Sequence, residues 1–107
     1  IMSQVDLAGS SIASRVANSR TATVAVTSFT FKEPVWVGDV VSFYATVLKV
    51  GTTSITVDVT VFAERLHKDN HRIVKVTEAQ LVFVALNKAG RPQPVYRADN
   101  PAPEKTE

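Results

Sequence analysis

From Met2 to about Asn18, apolar side chains at Val5, Ala8, Ile12 and Val16 recur every three or four residues, which predicts a helix with one buried face. Ala8, Gly9, Ser10, Ser11, Ala13 and Ser14 make much of that helix small, so its backbone can lie close to whatever covers it. Asn18-Ser19 closes it. The period then changes to two. Thr21–Phe31 alternates through Ala22, Val24 and Val26 before shifting phase to Phe29 and Phe31, which predicts a bulge near Thr27-Ser28. Lys32-Glu33-Pro34 breaks this run and Val37-Gly38-Asp39 turns into the next, Val40–Val50. Gly51-Thr52-Thr53 is a tight turn into Ser54–Leu66, where Ile55, Val57, Val59 and Val61 oppose Thr56, Asp58 and Thr60. After a polar loop at His67–His71, Arg72–Asn87 forms a long last strand stopped by Lys88-Ala89-Gly90-Arg91-Pro92.

One helix followed by four strands with short connections predicts an α+β architecture, an antiparallel sheet folded around a central helix. The outer face is only partly polar, since Val40, Tyr44, Leu48, Val74, Val76, Val82, Val84 and Leu86 compete with the inward set. A last strand apolar on both faces implies that a second subunit covers one of them. The stretch from Gln93 to Glu107, with Pro94, Pro101 and Pro103, offers no evident core residues and is expected to fray. The expected division is a domain over 1–95 and a flexible tail over 96–107.

Composition narrows the function. The 107 residues suit one domain with one core, and the 45% hydrophobic and 21% charged content is that of a globular protein. No apolar run reaches the roughly 20 residues that span a bilayer. The absence of cysteine removes disulfides, thiolate nucleophiles and Cys-based metal sites, and a reducing, cytoplasmic setting fits. With 12 basic and 10 acidic residues, the net charge of +2 is too balanced for a dedicated nucleic-acid binder. The chain opens directly on the helical pattern, with Ile1 before Met2 and no preceding turn, and reads as lacking a natural N-terminal segment.

Asp6 is the acid that demands an explanation. Two readings stand on residues alone: a solvated aspartate in the first turn, favoured by the helix dipole, or a general base whose charge state partial burial tunes. Ser10, one turn on, can share its face and hydrogen-bond the same water. His67 and His71 have ligand-like spacing, but they flank Lys68-Asp69-Asn70 in a hairpin loop with no third ligand nearby, and a metal site is rejected. The Gly51-Thr52-Thr53-Ser54 turn offers backbone N–H groups and three hydroxyls to a phosphate or amide, or is a plain hairpin turn. Lys32, Lys49, Arg15, Arg20, Lys88 and Arg91 are candidate phosphate clamps, and Glu78 is read as structural. There is no phosphate-binding P-loop, dinucleotide fingerprint or nucleophile elbow.

The stretch MSQVDLAG, then TVAVTSFTFKEPVWVGDVVSFYATVLKVGTTSITVDVTVFAE, then TEAQLVFVALNKAGRPQPV resembles the hotdog-fold acyl-CoA thioesterases of the YciA type and their brain-type relatives. The resemblance runs from Met2 to Val95, and its most specific parts are F-x-x-P-V-x-x-G-D-x-V from Phe31 to Val41 and V-G-T-T-S-I from Val50 to Ile55. It implies a hotdog fold and hydrolysis of acyl-CoA to free acid and CoA, with no cofactor or metal. It also implies a homo-oligomer built as a dimer and assembled as a trimer of dimers. Asp6 matches the helix acid of related enzymes, with Ser10 beside it. Phe29, Phe31, Lys32 and Pro34, together with Gly51, Thr52, Thr53 and Ser54, would hold the pantetheine arm and nucleotide. The family's first strand and its Gly-Gly loop, which carries a further catalytic Asn or Asp, would precede Ile1. A hotdog domain that binds acyl-CoA without cleaving it is the alternative; a hotdog dehydratase is disfavoured, because neither His67 nor His71 stands on or before the helix.

Overall fold

A computed structural model describes residues 2–67 and 70–103, apart from the side chains of residues 66, 67, 70 and 71. Helix α1 spans Met2–Ala17, and strands β1 (Arg20–Phe31), β2 (Val40–Val50), β3 (Ser54–His67) and β4 (Asn70–Leu86) follow. The strands form one antiparallel sheet in the order β1-β4-β3-β2. The expected elements and class are present. However, β1 and β2 are not neighbours but the two edges, and the connection between them passes the ends of β4 and β3.

The side of α1 that meets the sheet is smaller than the aliphatic positions suggest. Val5, Gly9, Ala13 and Ala17 are buried at strict four-residue spacing, while Met2, Ala8, Ile12 and Val16 pack half-buried on the flanks. Close approach explains the difference. A Cβ on Gly9 would stand 3.0 and 3.1 Å from two ring atoms of Phe83, so the Phe83 ring occupies the space that a side chain at position 9 would need. Beneath α1, Ile55, Val57, Val59 and Val61 of β3 interleave with Ala79, Leu81, Phe83 and Ala85 of β4, all buried. Each larger aliphatic or aromatic side chain removed from water here contributes about 2 kcal/mol before entropy is charged against it.

Two irregularities set which residues face α1. The β3–β4 register shifts between Val61 and Phe62, so Thr77 and Val76 are both buried and the inward phase continues through Val74. Val74 and Val76, read from alternation as outer-face residues, therefore belong to the core. The same bulge leaves Thr77 Oγ1 buried, with no hydrogen-bond partner among the described residues. In β1 the register with β4 shifts between Thr23 and Ala25 and again between Val26 and Ser28, the second near the expected bulge.

The C-terminal end of α1 is closed by distant residues. Asn18 takes the left-handed conformation, φ 49°, and the Ser19 N–H donates to Ser14 O at 3.3 Å. Arg97 donates to Ala17 O at 2.9 Å and Asn18 O at 3.2 Å, and Asn100 Nδ2 donates to Val16 O at 3.0 Å, Ala17 O at 3.1 Å and Val95 O at 2.6 Å. Residues 93–100, expected to carry no core side chain, thus include a fully buried Val95 and a two-residue cap on α1. Asn100 and Arg97 act at a sequence distance that no local pattern announces.

Candidate active site

Asp6 sits in the second turn of α1 rather than the first, on its partly exposed flank. β1 runs alongside, and Thr23 lies on the same face of the sheet as the helix. Its hydroxyl donates to Asp6 Oδ1 at 2.6 Å, a short bond of the charge-assisted kind. One carboxylate oxygen is thereby fixed, and among the described residues Oδ2 accepts no hydrogen bond from the protein. A carboxylate held by one oxygen and open at the other can orient a water molecule and take its proton.

The sequence reading missed Thr23. Strand alternation placed Thr21 and Thr23 opposite Ala22 and Val24, and a threonine on an edge strand gives no sign of a partner seventeen residues back. Ser10, by contrast, does not join Asp6: its hydroxyl donates to Leu7 O at 3.1 Å, within its own helix.

Beyond Thr23, β1 carries apolar side chains that α1 does not cover. Val26, Phe29 and Phe31 are 46%, 39% and 54% exposed, and the two rings lie 6.4 Å apart, centroid to centroid. Lys32 Nζ stands 3.7 Å from Glu78 Oε2, while Lys75 Nζ donates to Glu78 Oε1 at 2.6 Å. The Lys75 hydrogen bond, assisted by the nearby charges of Lys32 and Lys75, holds the Glu78 carboxyl below its usual range, which agrees with a structural role for that acid.

Pro34 belongs to the connection between β1 and β2, which Arg65 of β3 fastens. The guanidinium donates to Glu33 Oε2 at 3.1 Å, Asp39 Oδ2 at 3.2 Å and the Pro34 carbonyl, and stacks 4.3 Å from the Trp36 ring centroid. Asp39 Oδ2 also accepts from the Trp36 N–H at 2.8 Å, so the Gly38-Asp39 pair folds this connection rather than acting chemically.

The Gly51–Ser54 turn lies elsewhere. Its backbone is largely spent on the fold: Gly51 N–H donates to Ser54 O at 2.8 Å, Thr52 O accepts from Val95 N–H at 2.8 Å and Thr53 O from Ala85 N–H at 2.9 Å. The turn is at the sheet end where α1 finishes, two strand spacings from β1, roughly 10 Å. Within one chain the structure therefore brings Asp6 to Thr23 but not to Ser10 or to this turn. Among the described residues no group of three or more His, Asp or Glu side chains could hold a metal, and the His67/His71 pair falls outside the described side chains. No helix of the described residues is long and apolar enough to cross a membrane.

A family model described as "Thioesterase superfamily" matches residues 1–69. The chain is 40% identical over 96 residues to the acyl-CoA thioester hydrolase YciA of Salmonella typhimurium, covering 89% of this chain and 72% of that protein. A Haemophilus influenzae protein described as an uncharacterized acyl-CoA thioester hydrolase is 40% identical over 107 residues, covering 98% of this chain and 69% of its own length. Among solved structures, the hexameric hotdog-fold thioesterase Cj0915 of Campylobacter jejuni superposes with a TM-score of 0.82 at 37% identity, over 87% of this chain and 71% of that one. The hexameric broad-specificity acyl-coenzyme A thioesterase HI0827 superposes with a TM-score of 0.84 at 39% identity, over 92% of this chain and 68% of that one.

Proposed function

This chain belongs to the thioesterase superfamily and has the hotdog fold, and on that premise we propose that Asp6, held by Thr23, is the general base of an acyl-CoA thioester hydrolase. The reaction is hydrolysis of acyl-CoA to free acid and CoA. Asp6 Oδ2 removes a proton from water as that water attacks the thioester carbonyl. The tetrahedral intermediate then collapses and expels the CoA thiolate, a good leaving group because a thiol is far more acidic than an alcohol. The free N–H groups of the first turn of α1 would stabilise the oxyanion, aided by the positive end of the helix dipole. The observation that carries this reading is the 2.6 Å bond from Thr23 to Asp6, which fixes one oxygen and leaves the other to solvent.

We further propose a homodimer closed through β1 and assembled as a trimer of dimers, with each site completed across the dimer. Support comes from the free edge of β1 beside exposed Val24, Val26, Phe29 and Phe31, and from the hexameric state of both structural relatives. Phe29, Phe31, Lys32 and Pro34 would line the entry for the pantetheine arm, and Gly51 to Ser54 would meet it nearer the nucleotide. We propose a cytoplasmic setting, which a coenzyme A thioester substrate supports.

Release of free thiol from a panel of acyl-CoAs tests the reading. Asp6→Ala should lower kcat by roughly 10²- to 10⁴-fold, the usual worth of a positioned base, without unfolding the protein. Undiminished turnover would remove Asp6 from the mechanism. Tight acyl-CoA binding with no turnover in either protein would favour the alternative, a hotdog domain that binds without cleaving.

A further inference from the structure

The bulge in β4 shapes the outer face of the sheet as well as the core. Val61 pairs with Thr77 and Phe62 with Lys75, so Val76 is the extra residue. Beyond it the strand turns over: Val74 is buried toward α1 and Ile73 faces away. Plain alternation from Thr77 would have put Ile73 in the core. Instead it is 68% exposed, on the row Val40–Glu64–Ile73 that crosses β2, β3 and β4. One row along, Phe62 stands opposite Ser42, and the Tyr44 ring meets the Phe62 ring edge-on at 5.7 Å. Ile73, Phe62 and Tyr44, with Ser42 and Glu64, line a depression of about 370 Å³ on the sheet face opposite α1. At the sheet end beside it, the connection between β1 and β2 holds out Trp36 and a fully exposed Val37.

Single exposed apolar side chains are normal on a protein surface, whereas a contiguous group marks a contact. The middle of the same face is polar, with Thr60 opposite Glu78 and Asp58 opposite Gln80. Lys75 and Glu78, the charges at the border, are paired at 2.6 Å, which leaves little to keep two copies of the chain apart. The exposed large apolar residues fall into two groups: those of α1 and β1, and those of the β1–β2 connection, β2 and β4. β1 and β2 are opposite edges of the sheet, so a dimer closed through β1 leaves the second group in the open. A two-fold contact is satisfied once two copies have met, and joining three dimers takes a second, different surface.

We propose that this patch, centred on Tyr44 and Ile73, is the contact through which one dimer meets the next, its occupant being another copy of this chain. The proposal rests on the trimer-of-dimers reading above and is independent of the hydrolase reading. An aromatic pair and aliphatic side chains around a depression, rimmed by Ser42 and Glu64, have the apolar centre and polar border of a specific interface. The contact also explains why β4 turns an isoleucine toward water.

Sedimentation of the full chain and its Tyr44→Asp/Ile73→Asp variant tests this. The parent should sediment as a hexamer and the variant as a dimer, with an unchanged far-UV spectrum because both positions are exposed in the single chain. A variant that stays hexameric, or that falls to trimers or monomers, overturns the proposal and leaves the trimer of dimers standing. A parent that goes no further than a dimer overturns both. A second arm does not disturb the contact. The chain has no cysteine, so Ile73→Cys introduces a single thiol. Its reaction with a maleimide should be at least roughly tenfold slower in the native assembly than in urea, as for a covered thiol. Equal rates overturn the proposal even if the aspartate variant fails to fold.

Discussion

The two ends of α1 are built on opposite principles. At the C-terminal end, Arg97 and Asn100 place six hydrogen bonds on the carbonyls of Val16, Ala17, Asn18 and Val95, and Val95 is fully buried beside them. Toward the N-terminal end, Asp6 has one short bond from Thr23, and the apolar residues further along β1 stay exposed. One end is saturated and anchors the helix on the sheet. The other keeps acceptor capacity and apolar surface in reserve, the arrangement expected where a substrate and a second subunit must enter. Substitutions at the first end should therefore change stability and leave the chemistry alone, and those at the second should do the reverse.

That contrast can be tested in descending order of effect on stability. Asn100→Ala strips three carbonyls of a donor near the core and should cost about 2 kcal/mol in urea unfolding, with kcat unchanged in the folded protein. A fall in kcat would mean that the two ends are coupled. Gly9→Ala, midway along α1, forces a Cβ to 3.0 Å from the Phe83 ring. Overpacking outweighs the gain in helix propensity, and a net loss of about 1 kcal/mol is expected by thermal unfolding. This variant should also lower kcat, because lifting α1 displaces Asp6 from Thr23. Thr77→Val removes a buried hydroxyl that has no partner among the described residues while keeping its shape, and should stabilise the protein by about 1 kcal/mol. A destabilised Thr77→Val protein would reveal a hydrogen bond to the Thr77 hydroxyl, from a buried water or a partner chain.

Much of this was legible in the sequence, for reasons that also explain what was not. The helix and all four strands follow from local periodicity and fall within a few residues of their expected limits, because burial on one face imposes the period directly. Strand order did not follow: a short link between β1 and β2 suggested neighbours, yet the link passes two strand ends and is pinned by Arg65. Nothing near Arg65 in sequence hints at Glu33, Pro34, Trp36 and Asp39. Val76 was misassigned because a bulge changes phase without changing composition. At the site, Asp6 stood out as a lone acid on a helix of small residues. Thr23 did not, since a threonine on an edge strand is ordinary until the helix is laid over it. Ser10 had the right spacing but a nearer acceptor in its own backbone.

The pairing of Thr23 with Asp6 is the claim on which the catalytic account turns, and a double-mutant cycle measures it directly. Thiol release from one acyl-CoA would be followed for the parent protein, Thr23→Val, Asp6→Asn and the double variant. The account predicts that Thr23→Val alone costs roughly tenfold in kcat, the worth of a hydrogen bond to a charged group. Once Asp6→Asn has removed the base, adding Thr23→Val should cost nothing more. Losses that multiply independently, or full activity in Asp6→Asn, would contradict it.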